Sequence, residues 1–362
     1  MSRNDSTTNS LNQARVDIKE LSLPALTDWL GAEGIKPFHA GQIFKWIYSR
    51  QVDDFNEMTD LGKRLRSCLV DHFVVKRLKK MAVEKAADET CKYLFELSDG
   101  NFIESVLIPA KNHLTLCISS QVGCAQGCRF CLTGLGGFIR NLSRGEILAQ
   151  VRDIQNELDD PKKLTNLVFM GMGEPLANYD NVVSALTTLT DNVAGLSFSR
   201  HRVTLSTAGV APNIHKLGQD TMVSLAISLN ATDNQTRDHL MPINRRYPIE
   251  MLIDACRNFP LKKRRKITFE YILIKGVNDS PDDAHRLTRM LYPSWAKINL
   301  IPFNEFSGSS YSRPETSVIK QFMDILHQQR YVTIIRASKG QDISAACGQL
   351  RVRAGVKGSG AS

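Results

Sequence analysis

Three cysteines stand close together at Cys124, Cys128 and Cys131, in a C-x-x-x-C-x-x-C arrangement that follows the apolar residues 114–118. Three thiolates on one short loop can ligate three irons of a 4Fe–4S cluster. The fourth iron then has no protein ligand and is open to a small molecule. The spacing therefore predicts a cluster that takes part in chemistry.

Other uses of these cysteines fit the sequence less well. A structural zinc site needs four nitrogen or sulfur ligands, and no histidine lies between Cys124 and Cys131. A ferredoxin-type electron carrier needs a fourth cysteine followed by proline, which residues 132–137 lack. Cysteines clustered by chance would not need Gly123 and Gly127, which allow tight turns and leave amides facing sulfur. These observations favour the cluster.

The cysteine run resembles the signature of the radical S-adenosylmethionine superfamily. The resemblance implies that the amino and carboxylate groups of S-adenosylmethionine bind the open iron. One electron from the cluster then breaks a carbon–sulfur bond and gives a 5'-deoxyadenosyl radical. It also implies that Gly173 and Glu174, in the turn Gly-Met-Gly-Glu-Pro, receive the amino group of S-adenosylmethionine. An ordinary Gly-Pro turn is the alternative.

Polar residues at the ends of other predicted strands are further candidates for binding the cofactor. Hydroxyl or amide groups there could bond ribose and carboxylate oxygens, although Ser206 could equally cap a helix. The candidates are Ser206, Ser228, Leu229, Asn230 and Asn304.

Composition bounds the class of protein. The 362 residues are 42% hydrophobic, which suits one large catalytic domain with a smaller accessory one. The net charge of +9 favours an anionic partner such as nucleic acid, with a solvated basic surface as the alternative. Eight cysteines suit a reducing compartment. We find no secretory signal and no run of about 18 apolar residues, so we expect a cytoplasmic protein that does not enter membranes.

The pattern of elements predicts an α/β fold built on a partial (β/α)6 barrel, with a site at the carboxyl ends of its strands. Six apolar runs predict parallel strands, at residues 114–119, 164–170, 202–206, 223–229, 267–274 and 297–302. Helices are predicted at residues 144–158, 178–190, 281–291 and 314–329, the first opened by a capping box and the last two by prolines.

We divide the chain into five parts. Residues 1–16 and 351–362 are predicted to be flexible tails. Residues 17–73 have helical spacing and form a small accessory domain for RNA. Residues 74–110 alternate as a β-hairpin with a turn at residues 98–101, and residues 111–350 form the catalytic domain.

Several stretches together resemble the RlmN-type adenosine carbon-2 methyltransferases of ribosomal and transfer RNA. They are residues 38–48, 117–124, 168–176, 240–244 and 340–350, and the resemblance extends over residues 17–352. It implies methylation of carbon 2 of adenosine in 23S rRNA, at the peptidyl-transferase centre, and in tRNAs, 3' of the anticodon. One departure is Asn230, where family members commonly have histidine.

The resemblance also assigns three catalytic residues. Cys347 takes a methyl group from one S-adenosylmethionine, and a radical made from a second one abstracts hydrogen from that group. The resulting methylene radical adds to adenine. Glu104 matches the family's proton acceptor, and Cys117 matches the thiol that releases the product through a transient Cys117–Cys347 disulfide. Taken singly, both cysteines could be packed thiols and Glu104 an exposed strand carboxylate.

The implied partners are 23S rRNA, tRNA and a flavodoxin-like reductase system, with the protein itself a monomer. Basic residues at 76–80, 245–246 and 262–266 are candidates for phosphate contact, and each run alone could be a solvated face. Trp46, Tyr48, Arg64 and Arg66 could bind folded RNA by shape and stacking, although for Trp46 a core position is favoured. Two rival functions are a carbon-8 methylase of the same family and a non-catalytic RNA-binding protein with iron–sulfur or zinc.

Overall fold

The computed structural model describes residues 15–262 and 264–350. Most of the predicted N-terminal tail and all of the predicted C-terminal tail lie outside the described residues. The structure differs from the prediction at the end of the first tail, because Val16 already belongs to a strand.

The N-terminal module is helical, and its two ends meet. It comprises β1 (Val16–Asp17), α1 (Leu23–Ala32), α2 (His39–Phe44), α3 (Lys63–His72) and β2 (Phe73–Val74). Strand β1 pairs in parallel with β2, which fastens the start of the module to its end. Helix α2 is α-helical as far as Phe44, and the chain then continues as a π-helical turn over Lys45–Ser49.

The module packs on the catalytic core through a buried arginine. Arg152 is fully buried, and its guanidinium donates to the carbonyls of Ile47 at 2.9 Å and Val52 at 3.1 Å. It also forms an ion pair with Asp53 at 2.6 Å. A buried guanidinium is stable only when its donors have partners, so these bonds hold the two parts together.

The region predicted as a hairpin contains three antiparallel strands, β3 (Lys79–Lys85), β4 (Cys91–Glu96) and β5 (Phe102–Pro109). The predicted turn at residues 98–101 lies between β4 and β5, and Asp99 accepts a hydrogen bond from the amide of Asn101 at 3.1 Å. Strand β3 is the edge of the sheet, and its lysines face solvent, as is common at exposed edges.

The core follows with nine more strands. They are β6 (Leu114–Cys117), the small hairpin β7 (Gln121–Gly123) and β8 (Phe138–Asn141), and then β9 (Leu164–Phe169), β10 (Val203–Thr207), β11 (Ser224–Ser228), β12 (Ile267–Leu273), β13 (Ala296–Pro302) and β14 (Thr333–Ile335). Strands β3–β6 and β9–β14 form one sheet in the order β14-β13-β12-β11-β10-β9-β6-β5-β4-β3. Strands β6 and β9–β13 are parallel, which confirms the six predicted strands. A seventh parallel strand, β14, was not predicted.

Helices follow most core strands. They are α4 (Leu132–Leu135), α5 (Arg144–Asn156), α6 (Tyr179–Thr190), α7 (Ala211–Asp220), α8 (Asn234–Leu240), α9 (Ile249–Arg257), α10 (Pro281–Met290) and α11 (Thr316–Gln328). The predicted capping box of Ser143 and Glu146 opens α5. The prediction that Pro314 begins the last helix is wrong, because Glu315 has extended backbone and α11 starts at Thr316. Within the described part of the chain, no helix has the length and apolar character to cross a membrane.

The C-terminal segment, residues 336–350, runs from the β14 edge of the sheet to the turn between β3 and β4. The amide of Ala87 donates to the Asp342 carboxylate at 2.9 Å. The amide of Gly340 donates to the Asp88 carboxylate at 3.2 Å. The segment therefore links the two edge regions of the sheet, and Cys347 lies on it.

Candidate active site

The cysteine loop begins where β7 ends, and its shape depends on glycine. Gly123 has a φ of +74°, and a Cβ there would lie 2.0 Å from the Gly137 carbonyl oxygen. The amide of Cys124 donates to that same oxygen at 2.8 Å. Gly127 also has positive φ, at +62°. The two glycines expected to turn the loop therefore do so, since other residues rarely adopt this conformation.

Cys124, Cys128 and Cys131 line one cavity. Burial raises the pKa of the Cys124 thiol to about 12, and it raises the pKa values of Cys128 and Cys131 as well. Amides of Thr133 and Gly134 face the sulfur of Cys131, which favours its thiolate. Buried thiols with raised pKa values are poor nucleophiles but become thiolates when iron binds.

All three thiols line the same cavity, as ligands of one cluster would have to do. Among residues 15–262 and 264–350, no three His, Cys, Asp or Glu side chains converge as ligands of a single metal ion do. In a cluster each thiolate binds a different iron, so the thiols surround a space instead of meeting at a point. Three cysteines around one cavity have this arrangement.

Gly173 and Glu174 form the opposite wall of the cavity. A Cβ on Gly173 would lie 2.5 Å from the Cβ of Gln121, so only glycine lets this turn approach the neighbouring strand. The Glu174 carboxylate accepts hydrogen bonds from the amides of Leu176 at 2.9 Å and Ala208 at 2.6 Å. Burial nevertheless raises the pKa of Glu174. A cationic amino group would favour its ionised form.

Ser206 and Ser228 also line the cavity, as does Asn230, whereas Leu229 is fully buried beside it. Asn230 has a φ of +57°, and its Oδ1 accepts from the amide of Ile272 at 2.9 Å. Asparagine tolerates this left-handed conformation better than most residues. The side chain therefore supports the backbone at the position where histidine was expected.

Asn304 contacts the C-terminal segment. Its Nδ2 donates to the carbonyl of Cys347 at 3.1 Å, and its Oδ1 accepts from Gln341 at 2.9 Å. It also accepts from the Ser338 hydroxyl. In this arrangement the side chain holds the Cys347 segment, a contact that the sequence did not predict.

Cys117 and Cys347 lie near each other beside the cavity. Burial, with a smaller contribution from the neighbouring Cys347, raises the pKa of Cys117 to about 12. Cys347 lines the cavity together with Arg336 and Glu270. The nearby Cys347 makes the largest contribution to raising the pKa of Arg336, and Glu270 and Cys117 also raise it. One buried guanidinium therefore faces both thiols.

Arg336 and Glu270 were missed in the sequence. The available signals were a carboxylate inside the apolar run of β12 and an arginine directly after the β-branched residues of β14. Burial raises the pKa of Glu270, and its Oε1 accepts from Asn299 at 3.0 Å.

Glu104 is 4% exposed, so it is not a surface carboxylate. Val106 on β5 pairs with Cys117 on β6, and Glu104 lies two residues from Val106. Because side chains alternate along a strand, Glu104 and Cys117 share one face of the sheet. Register thus brings two of the three predicted catalytic residues to one surface.

Two parts of the chain match known families. Residues 16–75 match the model of the ribosomal RNA large subunit methyltransferase N-terminal domain, and residues 118–288 match that of the radical SAM superfamily. The chain is 54% identical to the dual-specificity RNA methyltransferase RlmN of Desulfosudis oleivorans, over 92% of this chain and 90% of that protein. It is 51% identical to the RlmN of Geobacter sulfurreducens, over 93% of this chain and 92% of that protein. The chain belongs to the RlmN family.

A solved structure agrees with this membership. A radical SAM methyltransferase from Sphaerobacter thermophilus superposes with a TM-score of 0.86 at 41% identity, covering 93% of this chain and 99% of that one. As a member of the RlmN family, the chain is a radical S-adenosylmethionine RNA methyltransferase, and its cofactors are a 4Fe–4S cluster and S-adenosylmethionine.

The basic runs predicted to meet RNA lie at different ends of this RlmN-family barrel. Arg245 and Arg246 are exposed and follow α8, on the side of the sheet where the cavity opens. Residues 262–266, of which Lys263 lies outside the described residues, precede β12 and so lie at the opposite end. In the run at 76–80, Arg77 pairs with Asp53 and Lys80 with Glu157.

Trp46 and Tyr48 of the N-terminal module are not exposed for stacking in this structure. Trp46 is 9% exposed and Tyr48 is 1% exposed, so both belong to the core. The guanidinium of Arg50 lies 3.8 Å from the centre of the Trp46 ring and covers it. The interpretation of Trp46 as a core residue is therefore confirmed, and the RNA contact suggested for Tyr48 does not fit its burial, whereas Arg64 on α3 remains exposed.

Proposed function

We propose that the enzyme methylates carbon 2 of adenosine in 23S rRNA, at the peptidyl-transferase centre, and in tRNAs, at the adenosine 3' of the anticodon. The observation that carries the proposal is the meeting of Cys117 and Cys347 beside the cavity of the three cluster cysteines. The dual-specificity name of the relatives supports two classes of RNA.

The target atom explains why such a site is needed. Carbon 2 of adenine bears an unactivated C–H bond and is not nucleophilic, so it cannot attack the methyl group of S-adenosylmethionine directly. When bound, the cluster of Cys124, Cys128 and Cys131 supplies the electron for radical cleavage of S-adenosylmethionine. Gly173, Glu174, Ser206, Ser228, Leu229, Asn230 and Asn304 are proposed to bind or frame that cofactor.

Cys347 is proposed to carry the methyl group. Its sulfur takes the group from a first S-adenosylmethionine, and the S-methyl group later loses a hydrogen atom to a radical made from a second one, so that each turnover uses two. The methylene radical adds to carbon 2, which joins RNA to the protein. The Arg336 guanidinium lies beside Cys347, and both residues line the cavity.

Glu104 and Cys117 are proposed to finish the reaction. The carboxylate of Glu104 accepts the carbon-2 proton, because a base must be ionised and close to the proton that it removes. The adduct radical also loses one electron, which the oxidised cluster would accept. The Cys117 thiolate then attacks the sulfur of Cys347 and breaks its bond to the methylene carbon. That carbon takes up a proton to become the methyl group, and a transient Cys117–Cys347 disulfide remains. All eight cysteines are free in this structure, so Cys117 and Cys347 are both in the thiol state that the reaction would start from.

A flavodoxin-like reductase system is the proposed electron donor and would also reduce the disulfide. We propose that the enzyme works as a monomer in the cytoplasm, where RNA substrates and reduced thiols are both present.

Analysis of modified nucleosides tests the function. We expect rRNA and tRNA from cells with the gene to contain 2-methyladenosine, and RNA from cells without it to lack the nucleoside. Mass spectrometry combined with chromatographic position separates it from 8-methyladenosine, the product of the rival carbon-8 activity. Detection of 8-methyladenosine instead, or of no change in either RNA, would contradict the proposal. Deoxyadenosine production by reduced enzyme excludes a non-catalytic RNA-binding role.

A further inference from the structure

We propose that Lys92 is a positioning residue for proton removal: it holds the Glu104 carboxylate in its ionised form and couples it to the segment that carries Cys347. The inference rests on the proposed role of Glu104. No motif drew attention to Lys92. It lies on β4, the second of the three antiparallel strands β3–β5, which we call the β-extension and which lie outside the parallel barrel.

Lys92 is 7% exposed, which is unusual for lysine. Its ammonium lies among three oxygens. It donates to the carbonyl of Ile343 at 2.7 Å, and it forms ion pairs with Glu84 at 3.2 Å and Glu104 at 3.5 Å. An ammonium has three hydrogens and must find partners when buried. The Ile343 carbonyl accepts one of these hydrogens, and the two carboxylates surround the ammonium with opposite charge.

The strand register places Lys92 on the catalytic face. Lys92 on β4 pairs with Val106 on β5, and Val106 pairs with Cys117 on β6. Residues directly opposite each other in neighbouring strands point to the same face of a sheet. Lys92, Glu104 and Cys117 therefore share one face, and Lys92 reaches from it to Ile343, four residues before Cys347.

This arrangement has a chemical consequence. Burial disfavours an ionised carboxylate, and a nearby cation favours it. Without a cation, Glu104 would tend to hold a proton and could not accept the one from carbon 2. The Lys92 ammonium also contacts the Cys347 segment, so the base is ionised in the same arrangement that brings the RNA-bearing sulfur to it. The proton passes from carbon 2 to the carboxylate of Glu104.

The test separates the charge of Lys92 from its hydrogen bond. Lys92→Gln removes the charge but retains a donor for the Ile343 carbonyl, and Lys92→Arg retains the charge. Each variant is reconstituted with its cluster and assayed on RNA carrying hydrogen or deuterium at carbon 2 of the target adenosine. Lys79→Gln is the matched control, because Lys79 is an exposed lysine of the same β-extension that pairs only with Glu96.

We expect Lys92→Gln to methylate Cys347 and to form deoxyadenosine at close to the wild-type rate, because neither step uses Glu104. Formation of methylated RNA should fall by about 10²-fold, the low end of what a positioned base contributes. Covalent protein–RNA adduct should accumulate, and the deuterium isotope effect should exceed that of the wild type. Lys92→Arg should recover most of the rate, and Lys79→Gln should resemble the wild type.

Three results would overturn the proposal. In the first, Lys92→Gln makes methylated RNA at the wild-type rate with no larger isotope effect. In the second, Cys347 methylation falls as much as RNA methylation, which indicates a purely structural role. In the third, Glu104→Gln remains fully active, which removes the assigned base and the Lys92 inference together. If Glu104→Gln stalls with a large isotope effect and Lys92→Gln does not, the base assignment stands and only the role of Lys92 fails.

Discussion

The side-chain amide of Asn304 donates a hydrogen bond to the main-chain carbonyl of Cys347, with 3.1 Å between nitrogen and oxygen. Its oxygen accepts from Gln341 of the same segment at 2.9 Å. It also accepts from the Ser338 hydroxyl, so one side chain after β13 holds the Cys347 segment at three points. Cys347 must meet both S-adenosylmethionine and RNA, so the stability of this closed arrangement bears on the whole reaction.

Loss of this contact should slow RNA methylation. We expect Asn304→Ala to reduce the rate of product formation about tenfold, since an unpaired buried carbonyl costs about 1–3 kcal/mol. Because the polar atoms of Asn304 already bond the Cys347 segment, Asn304 is proposed to frame S-adenosylmethionine without a hydrogen bond to it. The affinity for S-adenosylmethionine and the rate of deoxyadenosine formation without RNA should therefore change less than twofold. Equilibrium binding and product assays on the same preparation measure these quantities. Equal loss of cofactor affinity and of rate would instead indicate that Asn304 contacts the cofactor itself.

Each cluster cysteine should be indispensable. Replacement of Cys124, Cys128 or Cys131 by alanine should abolish cluster assembly and all deoxyadenosine formation, because three ligands leave none to spare. Iron and sulfide content and visible absorbance measure the cluster. Cys68→Ala on α3 is the control and should assemble a normal cluster. An intact, active cluster in any of the three variants would contradict the ligand assignment.

Local sequence patterns predicted several features of this site, whereas contacts that depend on long-range strand register could not be predicted. The cysteine loop and the capping box of α5 depend on residues within a few positions of one another, so their spacing is readable in the sequence. The six parallel strands are continuous apolar runs because both of their faces are buried. Strand β14 has only three residues, of which two are exposed, and it carries too little pattern to be recognised.

The contacts around Cys347 illustrate what spacing cannot predict. Lys92 and Ile343 are 251 positions apart, and their contact depends on how the β-extension and the C-terminal segment meet. Arg336 likewise faces Cys117 only because the segment after β14 passes over the end of β6. A charged residue within an apolar run, such as Lys92, is recognisable as unusual in the sequence. The residue that it contacts depends on tertiary structure and is not.

The location of the basic runs predicts unequal effects on RNA binding. Arg245→Gln with Arg246→Gln should weaken binding and reduce the slope of log affinity against log salt by up to about two units, one for each lost phosphate contact. Lys262→Gln with Arg265→Gln should change the slope less, because these residues lie at the far end of the barrel and Arg265 already bonds the Met222 carbonyl. Binding measured at several salt concentrations tests this. A larger effect of the second pair would place RNA at that end.

Release of the product should depend on pH through Cys117. Burial raises the pKa of Cys117 to about 12, and Arg336 opposes the rise. The thiolate is the attacking species, so below pH 12 its fraction and the release rate should rise with pH, about tenfold per unit. Arg336→Met should raise the pKa of Cys117 and slow release across pH 7–9, and Arg336→Lys should restore part of the rate. Rapid-quench decay of the protein–RNA adduct measures release. Decay that is independent of pH would contradict this role.

Removal of the Cys117 thiol should stop the reaction at the covalent adduct. Cys117→Ala should still assemble its cluster, methylate Cys347 and form the methylene radical, because none of those steps uses the missing thiol. Without a nucleophile placed against the sulfur of Cys347, hydrolysis of the methylene bridge is slow. The variant purified from cells should therefore carry covalently attached RNA, detected by nuclease-sensitive mass and absorbance at 260 nm. The double variant Cys117→Ala, Cys347→Ala should carry none, because it has no sulfur to bear the methylene group. Cys117→Ala enzyme that is free of RNA and fully active would show that the adduct is resolved by some other group.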